Sequence, residues 1–146
     1  CGAPHVAGCT GATSERAVQA LHGLPDTSML DMGDFAGGLM KYLRRHPVAR
    51  LTIGGGIGKM TKLAQGARDL HSARSQVDFT ALAQVLDQPG LAKANTALEA
   101  YALAGPDMAQ WVAHSALANC QSILQCADIT VDCVVIDRTG RILAQS

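Results

Sequence analysis

Aromatic side chains make up only 3% of the 146 residues, with a single Trp among them, so the core must be aliphatic. No apolar run approaches the roughly 20 residues that a membrane-spanning helix needs. No basic start followed by an apolar stretch marks a signal peptide either, and the sequence reads as cytoplasmic, with no membrane partner. Formal net charge is +0, which argues against a nucleic-acid binder. The five cysteines, Cys1, Cys9, Cys120, Cys126 and Cys133, are odd in number and lack zinc-type spacing. They read as buried free thiols rather than disulfides or a metal clip. His5, His22, His46 and His114 show no metal-ligand spacing, so no protein-bound metal is expected. Repeats, low-complexity segments, a Ser-His-Asp set and a paired-carboxylate set are all missing as well.

What is present describes an ordinary globular chain. Hydrophobic residues reach 48% and charged residues 16%, far from disordered composition. A chain of this length suits one domain that buries roughly two thirds of the surface its unfolded form exposes. It begins at Cys1 without Met, close to a turn, and reads as a fragment of a longer protein. Charge is unevenly spread: Lys41, Arg44, Arg45, Arg50, Lys59, Lys62, Arg68 and Arg74 fall in one window with a single acid, Asp69, a local balance of +7. Such a window is either a solvated face or an attractor for an anionic partner.

Periodicity predicts alternating helices and short strands. Thr13 is placed to cap a helix over 14–22, with Glu15 favourable in its first turn. Asp34 is placed to cap a helix over 35–46, in which Phe35, Ala36, Leu39, Met40, Tyr42 and Leu43 share one side and Lys41, Arg44 and Arg45 the other. "ARLTI" reads as a buried strand. A helix over 58–71 follows, then helical segments over 78–86, 91–104 and 107–124. "ITVDCVVID" reads as the last long strand, followed by a tight turn at 138–141 before "ILAQ". The upstream "CGAPHVAGC" has the least strand character. The alternation implies an α/β fold, a mostly parallel sheet with helices on both faces in a Rossmann-like three-layer arrangement. In such sheets ligands lie beyond the strand C-termini. "TGATSE" and "GGGIGK" are both strand-to-helix turns, so they should meet at one edge.

The stretch "IGGGIGKMTKLAQG" looks made for an anion, because exposed N–H groups at a helix start carry partial positive charge. It matches neither standard phosphate motif. A Walker loop needs glycine where Ile53 stands and Ser or Thr where Met60 stands, and a dinucleotide fingerprint needs its third glycine at Lys59. The candidates here are Gly54, Gly55, Gly56 and Gly58, whose alternative role is a tight turn with close packing, and Lys59 and Lys62, which are otherwise surface lysines. In the first turn they are Thr10, Gly11, Thr13, Ser14 and Glu15, which otherwise simply begin a helix. Asp34, in "GDFAGG", is otherwise a cap. His71 and Ser72 follow a helix end, where His71 is otherwise a favourable C-terminal charge.

Three strings, "TGATSE", "DMGDFAG" and "GKMTKLAQG…DLHS", resemble the CbiD family, the cobalt-precorrin-5B C1-methyltransferases of cobalamin biosynthesis. The similarity runs from about His5 to the C-terminus, and family members carry a preceding domain. Ile57 departs from the family, where an aromatic residue is more usual. The resemblance implies methyl transfer from S-adenosylmethionine to C1 of a cobalt-containing tetrapyrrole, with cobalt arriving only inside the substrate and a homo-oligomer as a possible assembly. The macrocycle's acetate and propionate groups would suit the +7 window, since Arg binds carboxylates in bidentate fashion. No residue is assigned a catalytic role. Two other readings stay open: an anion- or nucleotide-binding regulatory module, and a structural half whose site is completed by an N-terminal domain.

Overall fold

The computed structural model describes residues 4–125 and 128–146; the thiols of Cys1 and Cys126 lie outside the described residues. Five strands form one sheet in the order β2-β1-β3-β4-β5. They are β1 (His5–Cys9), β2 (Met29–Asp31), β3 (Arg50–Gly56), β4 (Thr130–Ile136) and β5 (Ile142–Gln145). The first four run parallel, and β5 returns antiparallel to β4 across the turn after Asp137. The α/β three-layer expectation holds.

Strand pleating sorts the side chains by period two. Val6, Leu51, Ile53, Cys133 and Val135 face a large core with Met40 and Leu43 of α2 (Ala36–Arg45), Met60 and Leu63 of α3 (Ile57–Ala64), and Val112 and Ala116 of α6 (Pro106–Leu124). Ala7, Cys9, Val134 and Ile136 face the other way and meet Val18 of α1 (Ala12–His22). Among the described residues, one face therefore carries a single α-helix and the other several, with α4 (Phe79–Val85) and α5 (Ala97–Ala104) farther along the chain. Cys9, Cys120 and Cys133 are free and buried, as expected of them. Burial, then the nearby Glu15 carboxylate, pushes the Cys9 thiol up to about 12.

Several local readings change. Helix α1 starts two residues earlier than expected, with Gly11 and not Thr13 at its cap; Ser14 Oγ accepts from Gly11 N–H at 3.2 Å and donates to Gly11 C=O at 2.8 Å. Asp34 does not cap α2, because Phe35 occupies that position without a side-chain hydrogen bond and the Asp34 carboxylate pairs with Lys59 instead. Phe35 and Tyr42 are 65% and 58% exposed: a narrow stripe of Ala36, Met40 and Leu43 is enough to seat α2. Helix α3 stops at Ala64, seven residues short of expectation, because Gly66 turns left-handed at φ 100 and the amides of Gly66 and Ala67 fold back onto Leu63 and Lys62 carbonyls. The segment 91–104 splits into a 3-10 turn (Pro89–Lys93) and α5, since Thr96 caps a new helix by accepting from Glu99 N–H at 3.1 Å. Strand β2 was not anticipated.

The glycine run is the largest revision. Gly54 and Gly55 lie inside β3, not in the turn. A Cβ on Gly54 would stand 2.5 Å from Val18 Cγ2, and one on Gly55 2.9 Å from the Thr10 side chain. Both are therefore packing glycines that let α1 and the first turn press onto the strand.

Candidate functional site

The parallel strands β1 and β3 are neighbours, yet β1 leads outward to β2 and β3 leads the other way to β4. Their C-terminal ends thus flank a topological switch point, where the diverging connections leave a crevice. A cavity of about 490 Å³ opens there. Its walls are the turn after β1 (Thr10, Gly11, Thr13, Ser14), the turn after β3 (Gly56, Gly58, Lys59), the start of α5 (Thr96, Ala97, Leu98) and the end of β4 (Ile136, Asp137, Arg138). The two turns singled out from sequence do meet.

Three helices begin at this cavity: α1 at Gly11, α3 at Gly56 and α5 at Thr96. Each helix start leaves backbone N–H groups without intrahelical partners and adds the positive end of its dipole. Nothing lies within 4 Å of a Cβ built on Gly11 or Gly56, so the main chain is open to a ligand at both turns. Asp137 Oδ1 accepts from Thr139 N–H and Oγ1 at 2.8 and 2.7 Å and from Arg141 N–H at 3.0 Å. The Thr139 hydroxyl above all holds its carboxyl below the usual range. This turn sets Arg138 at the cavity wall.

Of the remaining candidates, Lys62 and Ser72 line an adjoining groove that shares Gly58, Lys59, Thr96 and Ala97 with the cavity; Lys62 Nζ also donates to Leu70 C=O at 3.0 Å. Gly54, Gly55, Glu15, Asp34 and His71 are not part of the wall. Glu15 is exposed in the first turn of α1, and His71 is exposed with Nδ1 accepting from Ala73 N–H at 3.0 Å. Asp34 acts through Lys59, tying the loop before α2 to the start of α3. Sequence reasoning missed Thr96, Ala97, Leu98 and Arg138. The Thr96-x-x-Glu99 capping pattern was a usable signal that a helix starts at Thr96.

The basic window does not converge here. Lys41, Arg44 and Arg45 sit toward the end of α2, a few residues before β3 begins, hence at the opposite end of the parallel strands from the cavity. Arg50 pairs with Asp132, and the Arg68 stem packs over Gly37.

The chain is a doubly wound α/β domain with a cavity at its switch point. Residues 69–146 match the family model described as "CbiD, C-terminal domain", and the chain belongs to that family. It is 48% identical to a cobalt-precorrin-5B C(1)-methyltransferase of Paramagnetospirillum magneticum, with all of this chain and 43% of the relative aligned. It is 50% identical to the proteins of the same name from Brucella anthropi and Brucella ovis, aligned over 99% of this chain and 42% of each relative. The chain therefore spans less than half the length of the curated relatives it matches. No solved structure matches it.

Proposed function

We propose that this chain takes part in methyl transfer from S-adenosylmethionine to C1 of cobalt-precorrin-5B, the donor lying in the switch-point cavity. The observation that carries this reading is the convergence of three helix starts and two open main-chain turns on one cavity, in a chain whose relatives bear that enzyme name. A volume of about 490 Å³ is within the range of small-molecule sites, about 300–1,000 Å³. It suits the donor better than a whole tetrapyrrole. The donor's carboxylate fits the N–H groups at Ala12 and Thr13 or at Gly56–Gly58, with Lys59 beside them.

Bound S-adenosylmethionine supplies an already activated methyl group, so the chain's own residues need only orient donor and acceptor and keep water out. Thr10 offers a hydroxyl at one wall, whereas the Ser14 hydroxyl is engaged by the Gly11 main chain. Lys62 and Ser72, in the adjoining groove, are placed to meet acid groups of the macrocycle. Cys9 is no nucleophile, since burial keeps its thiol protonated. Cobalt enters with the substrate.

Because the chain spans 43% of a relative's length, a second reading has support: the cavity is one wall of a site that the remainder of the protein completes. Calorimetric titration with S-adenosylhomocysteine separates the two. Saturable binding by this chain supports the first, and binding only by the longer protein supports the second. Binding of ATP with neither S-adenosylhomocysteine nor a corrinoid bound would instead favour a regulatory module.

A further inference from the structure

At the other end of the sheet, below the cavity, three side chains with ligating atoms converge. His5 begins β1, His22 ends α1 and Asp132 lies in β4, and one ligand atom from each falls within 4.8 Å of the others. Among the described residues this is the one such group. The register produces it: His5 pairs with Arg50 and Thr52 with Asp132. Period two then places His5, Thr52 and Asp132 on the face that α1 covers, and α1 lays its last residue, His22, over them.

Two observations point to a ligand rather than a self-sufficient polar cluster. First, His22 Nε2 is buried and makes no hydrogen bond among the described residues, although Asp132 Oδ2 stands 3.3 Å away. That separation matches two donors on one tetrahedral ion, about 3.3–3.5 Å for bonds of about 2.0–2.1 Å. Second, the carboxylate is already oriented: Asp132 Oδ1 accepts from Thr52 Oγ1 at 2.9 Å and Arg50 Nε at 3.0 Å, leaving Oδ2 turned toward His22. Thr52 Oγ1 also lies 2.8 Å from His5 Nε2. Outer hydrogen bonds of this sort fix ligating carboxylates and imidazoles in metal sites. Arg50 adds a positive charge nearby, but its side chain is 42% exposed, so solvent and salt screen it.

We propose that His5, His22 and Asp132 bind a divalent cation of the zinc class, with water in the fourth position. Two imidazoles and one carboxylate select zinc or a neighbouring transition metal over calcium or magnesium. Asp132 and Thr52 lie four residues below Ile136 and Gly56, roughly 13 Å along the strands. The ion is thus remote from the cavity, and its work is to clamp the end of α1 to β1 and β4. The proposal stands independently of the methyltransfer reading.

Zinc chloride titrated into the chelator-stripped chain tests it, with calorimetry and thermal melting as readouts. The expected result is saturation at one equivalent, a higher Tm with zinc, and affinity at least tenfold weaker in His22→Asn and Asp132→Asn. His46→Asn and His114→Asn should bind as the parent does. Should Asp132→Asn fail to fold, His22→Asn decides alone, because Nε2 of His22 gives up no hydrogen bond on substitution. Absence of saturable binding at micromolar zinc, or equal binding by folded His22→Asn, overturns the site.

Discussion

Gly54 and Gly56 stand two residues apart in β3 and answer to different constraints. A Cβ at Gly54 would collide with Val18, whereas a Cβ at Gly56 meets nothing within 4 Å and its φ of −68 and ψ of 163 suit any residue. Gly54→Ala is expected to destabilise the fold by about 1–3 kcal/mol, the usual cost of overpacking, visible as a lower denaturant midpoint. Gly56→Val should move that midpoint little, within about 0.5 kcal/mol, while lowering S-adenosylhomocysteine affinity at least tenfold by filling the cavity. Sequence alone could not separate these glycines. All lie in one run, and only the position of α1 over the strand tells packing from access. Cys9 gives a pH test at the same scale. Its thiol is raised from 9.0 to about 12 in the fold, so the folded state favours the protonated form. Its stabilising contribution is full below pH 9 and is lost as pH rises toward 12. Thiol-reagent labelling near pH 8 should therefore spare Cys9 until the protein unfolds; rapid native labelling would contradict its burial.

Elements were legible where periodicity was long and obscure where a single residue set the boundary. The helix over 107–124 and the strand within "ITVDCVVID" are both present, the helix beginning at Pro106, because many residues vote for each. Strand β2 has only three residues and no period to read. The end of α3 rests on Gly66 and the start of α5 on Thr96, and each outweighs the helical propensity of its neighbours. The Thr96 cap also forms a wall of the cavity. Thr96→Ala should cost about 1 kcal/mol of stability, read as a fall of roughly 3 °C in Tm. It should also weaken ligand binding, because α5 would fray at the wall. A cap loss without any change in binding would remove α5 from the site.

Over the whole molecule, the expectation that both turns meet at one rim holds, while the basic window, open in sequence between a solvated face and an attractor for an anionic partner, does not gather there as a whole. Parallel topology divides that window, with Lys59 and Lys62 at the cavity end and Lys41, Arg44 and Arg45 at the other. Local charge counting cannot see this, because α2 and α3 lie next to each other in sequence while the strand between them carries the chain across the sheet. Lys59→Ala is expected to weaken donor binding by about 1–3 kcal/mol, as for a charged hydrogen bond. The double change Arg44→Ala, Arg45→Ala should leave it within about twofold, since these side chains lie a sheet-length away. Thr96, at the start of α5 within the long connection from β3 to β4, and Arg138, just after β4, are distant in sequence from the glycine turn, which is why no local motif placed them at the cavity. The switch-point cavity is the proposed seat of the ligand. The most direct test is an amide NMR titration of this chain with S-adenosylhomocysteine. Shifts concentrated at Thr10–Ser14, Gly56–Lys59 and Thr96–Leu98 are predicted; shifts confined to Lys41–His46, or none at saturating ligand, would contradict it.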